Sequence, residues 1–176
     1  LYSWEINKPS GTLQIASGTD ISVEKNFTYI SGTLNQNGQQ ITFNGSVNQT
    51  IGGSPLVLDD ITIDNSMGIT LEASQLTLEG SLALNAGVLQ LGTNQLIFGE
   101  TATVSTTGTW GLSTMIRTEG SESAAGVEKQ FSASGGSFSF PVGTDVYSPA
   151  TLDVTDTDGA SGTVSIHPIN SREPTA

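Results

Sequence analysis

Residues 71–104 read LEASQLTLEGSLALNAGVLQLGTNQLIFGETATV, and within them Leu71, Leu78, Leu84, Leu91, Phe98 and Val104 advance by steps of 7, 6, 7, 7 and 6. Three steps carry the chain forward by 20 residues, a fixed period of the kind that marks a repeat architecture. Several of these positions have an apolar companion two residues earlier, in Leu76/Leu78, Leu82/Leu84, Leu89/Leu91 and Leu96/Phe98. Alternation with a period of two puts apolar side chains on one face of a strand and polar ones on the other. No helical periodicity competes with it.

Working outward, the pairs Ile21/Val23, Ile41/Phe43 and Ile61/Ile63 recur at steps of 20, followed by Leu76/Leu78 after 15 and Leu96/Phe98 after another 20. Their shared pattern leads to the expectation that all five occupy one register. Leu13/Ile15, Val47, Leu56/Leu58 and Ile69/Leu71 fill the intervals as further inward positions, and Gly11, Gly32, Gly45, Gly68, Gly80 and Gly87 fall at the corners. Sharp corners require either a positive φ or a missing side chain.

Three short strands per period describe an all-β, right-handed parallel β-helix with about 20 residues per coil, its coils stacked about 4.8 Å apart. Leu, Ile, Val and Phe then form internal ladders, while Asn, Gln and Thr form outward or corner ladders bonded to the coils above and below. An antiparallel sandwich is the competing architecture, but it calls for hairpins and less regular spacing. The solenoid with its end caps is assigned to residues 1–118, with Tyr2, Trp4 and Trp110 as covers for core ends. Residues 119–126 have the small polar character of a loop. Residues 119–176 form a short β-rich C-terminal element of alternating segments.

Charged residues make up only 12% of the 176-residue chain, and 17 acidic against 5 basic residues give a formal net charge of -12. This balance repels phosphate backbones and argues against nucleic acid as a partner. The absence of cysteine excludes disulfides and thiolate metal sites. No apolar run reaches the roughly 18 residues of a membrane-spanning helix, so no membrane span is expected. Starting at Leu1 without a signal peptide, the chain reads as a mature or excised stretch.

The runs Val127-Glu-Lys-Gln-Phe131, Gly136-Ser-Phe-Ser-Phe-Pro141-Val-Gly143, Tyr147-Ser-Pro149-Ala-Thr-Leu152 and Gly162-Thr-Val-Ser-Ile166 resemble a segment of large secreted proteins from Bacteroidetes-type bacteria. Leu-Thr-Leu-Glu-Gly-Ser-Leu-Ala-Leu at residues 76–84 is similar to the β-helical stretches of such adhesin-like proteins. The resemblance implies a secreted or cell-surface location, with export often through a type IX system that reads a separate C-terminal signal domain.

Candidate chemistry is sparse. His167 stands alone before Pro168, and with no Cys there is no second strong nucleophile or base to pair with it. Asp59, Asp60 and Asp64 are the carboxylates a lyase- or glycosidase-like site would use, but no Lys or Arg lies near them in sequence, and a polar turn is the simpler expectation. Asp156-Thr157-Asp158-Gly159 has the spacing that opens a calcium loop, making Asp156 and Asp158 the candidate calcium ligands; no bidentate acid follows before Glu173, and an Asp/Gly turn is the simpler alternative. Otherwise no cofactor is expected. Tyr29 is a candidate glycan platform, and the Asn-x-Ser/Thr triplets at Asn26, Asn44 and Asn48 receive no role.

Together these features lead to the expectation of a non-enzymatic, extracellular structural or adhesin-like protein acting as a rigid stalk or display surface. Its expected partners are extracellular glycans, other surface proteins or copies of itself. The alternatives are a carbohydrate-binding or polysaccharide-lyase-like β-helix protein and a subunit of a self-assembling extracellular filament.

Overall fold

The computed structural model describes residues 1–155 and 159–170, and every helix or strand element among them is a β-strand. Three sheets carry the fold. Sheet A stacks Trp4–Gln14, Phe27–Asn35, Gln49–Gly53, Ile69–Leu71, Leu89–Gly92, Ile116–Thr118 and Val142–Gly143 in that order. Sheet B stacks Ile21–Val23, Ile41–Phe43, Ile61–Asp64, Ser81–Ala86 and Thr103–Ser105. Sheet C stacks Leu56–Leu58, Gln75–Leu78, Gln95–Phe98 and Gly126–Phe131 in parallel, and Gly162–Ile166 closes it antiparallel. From residue 69 to 105 the chain visits A, C and B twice in succession, which makes it a parallel β-solenoid of three faces.

The six-and-seven rhythm is therefore a walk around the three faces: Leu71 lies in A, Leu78 in C, Leu84 in B, Leu91 in A, Phe98 in C and Val104 in B. One expectation changes. Ile61 does not stack beneath Leu76; it stacks beneath Leu82, 21 residues on, while Leu76 continues the column begun by Leu56. The 15-residue step was a change of face. All three faces carry the same apolar-x-apolar text, so textual likeness cannot tell a coil-to-coil step from a face-to-face one.

Inside the solenoid the columns are continuous. Ile41, Ile61 and Leu82 form one, Phe43, Ile63 and Leu84 another, and Leu56, Leu76, Leu96 and Val127 a third. Their side chains are almost fully buried. Each contributes about 1.5–3 kcal/mol through removal of apolar surface from water. Val47, expected inside, lies exposed on a corner between B and A. It falls outside the strands, where the inward-outward alternation no longer governs.

Corners are closed by glycine and by buried amides. A side chain at Gly87, whose φ is +86°, would place Cβ 1.9 Å from the Asn65 carbonyl oxygen, because successive coils touch there backbone to backbone. Gln49, inward in sheet A beneath Ile69, donates from Nε2 to the Val23 carbonyl at 2.9 Å and to that of Lys25 at 2.5 Å. Its Oε1 accepts from Gly45 N–H at 2.8 Å and from Asn65 Nδ2 at 2.9 Å. Gln36 makes a similar link, donating to the Gln39 and Asp60 carbonyls at 3.0 Å each and accepting from Asp59 N–H at 2.6 Å. Buried amides satisfied on both sides tie neighbouring coils together without leaving polar groups stranded.

The sheets run across the boundary placed at 118/119. Gly126–Phe131 pairs parallel with Gln95–Phe98, and Val142–Gly143 with Ile116–Thr118. Antiparallel pairing then appears, between Gly136–Phe140 and Ala150–Val154 and between Gly126–Phe131 and Gly162–Ile166. At the opposite end Trp4 packs edge-on against Phe27 with ring centroids 5.2 Å apart, as a cover should. Trp110 is partly buried against the core, whereas Tyr2 is 69% exposed with the Lys25 ammonium over its ring. Tyr2 is thus not a core cover: its ring projects outward.

Candidate functional site

Most residues singled out for chemistry have structural tasks. Asp60 Oδ1 accepts from Ser81 N–H at 2.8 Å and Ser81 Oγ at 2.7 Å, pinning the corner where the next coil enters sheet B. Asp59 is fixed through its N–H by Gln36, while Asp64 is exposed at the end of its strand. The Tyr29 hydroxyl turns back to donate to the Gly32 carbonyl. Asn26 accepts from Thr50 N–H at 3.1 Å, Asn44 from Ser22 Oγ at 2.9 Å and Asn48 from Thr70 Oγ1 at 3.2 Å, so these side chains are rungs of coil-to-coil ladders. His167 is exposed directly after the last strand of sheet C. Asp156 and Asp158 lie outside the described residues, and no group of three or more His, Cys, Asp or Glu side chains poised for a metal occurs among those described.

Two basic residues that the sequence reading passed over are the notable polar features. In Val127-Glu128-Lys129-Gln130-Phe131 strict alternation turns Lys129 inward between Val127 and Phe131, directly above Phe98 in the column of Leu58 and Leu78. Only 4% of it is exposed. Its ammonium donates to the carbonyls of Gly99 at 2.5 Å, Glu100 at 2.8 Å and Ala102 at 3.2 Å. The Phe138 ring lies 5.2 Å away and that of Phe131 5.9 Å away. Burial lowers the Lys129 pKa, and the charges of Glu100 and Glu79 act against that shift. A lysine ammonium has three protons to donate, and here three carbonyls take them. Although Lys129 borders a cleft of about 380 Å³, it serves as a plug for a corner that no further coil covers among the described residues.

Arg117 is different. Alternation in Ile116-Arg117-Thr118 turns it outward on sheet A, where register places it beside Gln90, which in turn pairs with Thr70. Its Nε is buried and has no hydrogen-bond partner among the described residues. Leaving a buried donor unpaired costs about 1–3 kcal/mol, more where the group is charged. The side chain borders a groove of about 310 Å³ along the A face, with Asn48, Thr70 and Gln90 as its polar lining and Met67 and Val88 as its apolar rim.

With this geometry in view, no protein-family model matches the chain, and neither a curated protein nor a solved structure is significantly similar to it.

Proposed function

We propose that this chain is a rigid, non-enzymatic spacer or display segment of an extracellular or cell-surface protein, of the adhesin-like kind that its sequence resembles in Bacteroidetes-type bacteria. One observation carries the reading: polar side chains as well as backbone link coil to coil along the stack, through Gln36, Gln49 and Asn65 inside and Asn26, Asn44 and Asn48 outside. Bending such a rod strains many hydrogen bonds at once, and cooperating neighbours share the strain. A low-charge, acidic surface rich in hydroxyls and amides suits exposure to a crowded aqueous exterior. Adhesion or extracellular assembly would then use the faces of this rod.

Antibody labelling of intact producing cells, compared with the same cells after lysis, tests the placement. Labelling before lysis, or recovery from the culture medium, is the expected result. Detection only after lysis would overturn it.

A further inference from the structure

We propose that Asn37 is a modification site, an asparagine that deamidates in the folded protein by cyclising onto Gly38, while the fold holds the chain's other Asn-Gly pair, Asn44-Gly45, unreactive. The inference stands apart from the spacer reading, since it concerns only the chemistry of a turn in water. Asparagine amides are among the thermally labile side chains. Lability is greatest before glycine, which has no Cβ to obstruct the approach of its backbone nitrogen to the asparagine Cγ. The chain contains two such pairs, and the sequence alone makes them equivalent.

The two differ in the fate of the attacking nitrogen. Gly45 N–H donates to Gln49 Oε1 at 2.8 Å, inside the buried amide network that ties the coils together. A Cβ at Gly45 would lie 2.4 Å from the Glu24 carbonyl oxygen, so the backbone is wedged against its neighbouring coil. Asn44 Oδ1 accepts from Ser22 Oγ at 2.9 Å. Nitrogen and Cγ can meet there only if both bonds break and packed backbone shifts. Asn37 and Gly38 instead form the centre of a turn closed by Gln39 N–H donating to the Gln36 carbonyl at 3.0 Å. Their φ values of +56° and +71° make it a type I′ turn, and Asn37 is the only non-glycine residue with positive φ among those described. Both residues are exposed, Gly38 N–H has no partner among the described residues, and a Cβ on Gly38 would meet nothing within 4 Å.

Three bonds hold Asn37: Nδ2 to the Ile15 carbonyl at 3.2 Å, N–H to Asn35 Oδ1 at 2.8 Å, and Gln39 Nε2 to its own carbonyl at 3.0 Å. Exposed bonds at a loop open at small free-energy cost, and opening also relieves the left-handed backbone of Asn37. In the reaction the Gly38 nitrogen gives its proton to solvent base and attacks Asn37 Cγ; the Cγ–Nδ2 bond breaks, and Nδ2 leaves as ammonia with a proton from water. Water then opens the succinimide, at Cγ to give aspartate or at the main-chain carbonyl to give isoaspartate. Nothing is oxidised or reduced. Either product loses the Nδ2 donor to the Ile15 carbonyl and adds a negative charge to a chain already at -12, and isoaspartate inserts a methylene into the main chain of the turn.

Incubation of the folded chain in mildly alkaline heavy-oxygen water tests the proposal, with mass-spectrometric peptide mapping that resolves residue 37 from residue 44. The urea-unfolded chain, incubated alongside until half of its Asn37 has converted, sets the clock. In the folded chain residue 37 should lose ammonia and take up one heavy oxygen, as aspartate and isoaspartate together, about tenfold faster than residue 44. In the unfolded chain the two rates should converge. Equal rates in the folded chain, faster reaction at Asn44, or an Asn37 that keeps its amide in the folded chain over that time would overturn the proposal. No variant is needed, so the result does not depend on whether a substitution folds.

Discussion

The middle of the solenoid and its C-terminal end solve the same problem differently. Between Ile41 and Phe98 each coil is covered by the next, with apolar columns inside and backbone bonds between rungs. At the C-terminal end no strand pairs with Thr103–Ser105 on its outer side among the described residues, and the corner carbonyls at residues 99–102 meet the Lys129 ammonium instead of another coil. The Gly136–Phe140 strand turns over the top, packing Phe138 at a tilt against Phe98 with ring centroids 5.1 Å apart and Phe140 edge-on against Phe138 at 4.8 Å. Repetition builds this fold by offering every coil the same partner; ending it takes a departure from the repeat, namely a charge in the core column and antiparallel strands.

The largest effect should come where the two regions meet. Phe98 touches the regular column below and the aromatic cover above, so Phe98→Ala should lower stability by about 3–5 kcal/mol in chemical denaturation. A loss below 1 kcal/mol would mean that the column is not continuous there. Lys129→Met keeps the volume but strands three carbonyls, and a cost of about 2–3 kcal/mol is expected. Hydrogen exchange should localise that damage: amides of 136–154 lose protection while those of 41–84 keep theirs. Uniform loss across both regions would erase the distinction drawn between them.

In the regular region Gly87→Ala forces a Cβ against the Asn65 carbonyl at a left-handed backbone position, at a cost of about 1–3 kcal/mol. Thermal melting would show it. Val57→Ser, at an outward position 56% exposed, should change stability by about 0.5 kcal/mol or less. Lys129 also gives the end a pH signature. Burial makes its folded-state pKa lower than the ordinary 10.5, so between the two values the unfolded chain holds more protons than the folded one. This group's contribution to stability accordingly rises with pH across that window. The trend should vanish in Lys129→Met, as paired urea titrations would reveal.

Much of the architecture was legible because alternation and the six-and-seven rhythm are direct imprints of strands on three faces. The assignment of columns was not, since Ile61-Thr-Ile63, Leu76-Thr-Leu78 and Leu82-Ala-Leu84 look alike while lying in B, C and B. Longer loops also break the period at the end: Leu89 and its partner Ile116 are separated by 27 residues, Gln95 and Gly126 by 31. The two basic residues were encoded in plain alternation, Lys129 inward and Arg117 outward. Neither is legible as a site in the sequence, because a lone base acquires meaning only from the backbone carbonyls or the groove that the fold sets beside it.

Sheet B stacks Thr62 directly opposite Ala83 on its outer face, and Thr77 lies on a different face of the solenoid. The chain has no cysteine, so introduced thiols report without background. Adjacent rungs about 4.8 Å apart lie within the span a disulfide bridges. Under mild oxidation Thr62→Cys with Ala83→Cys should form an intramolecular disulfide, and Thr62→Cys with Thr77→Cys should keep both thiols free; the reverse outcome would contradict the fold as described.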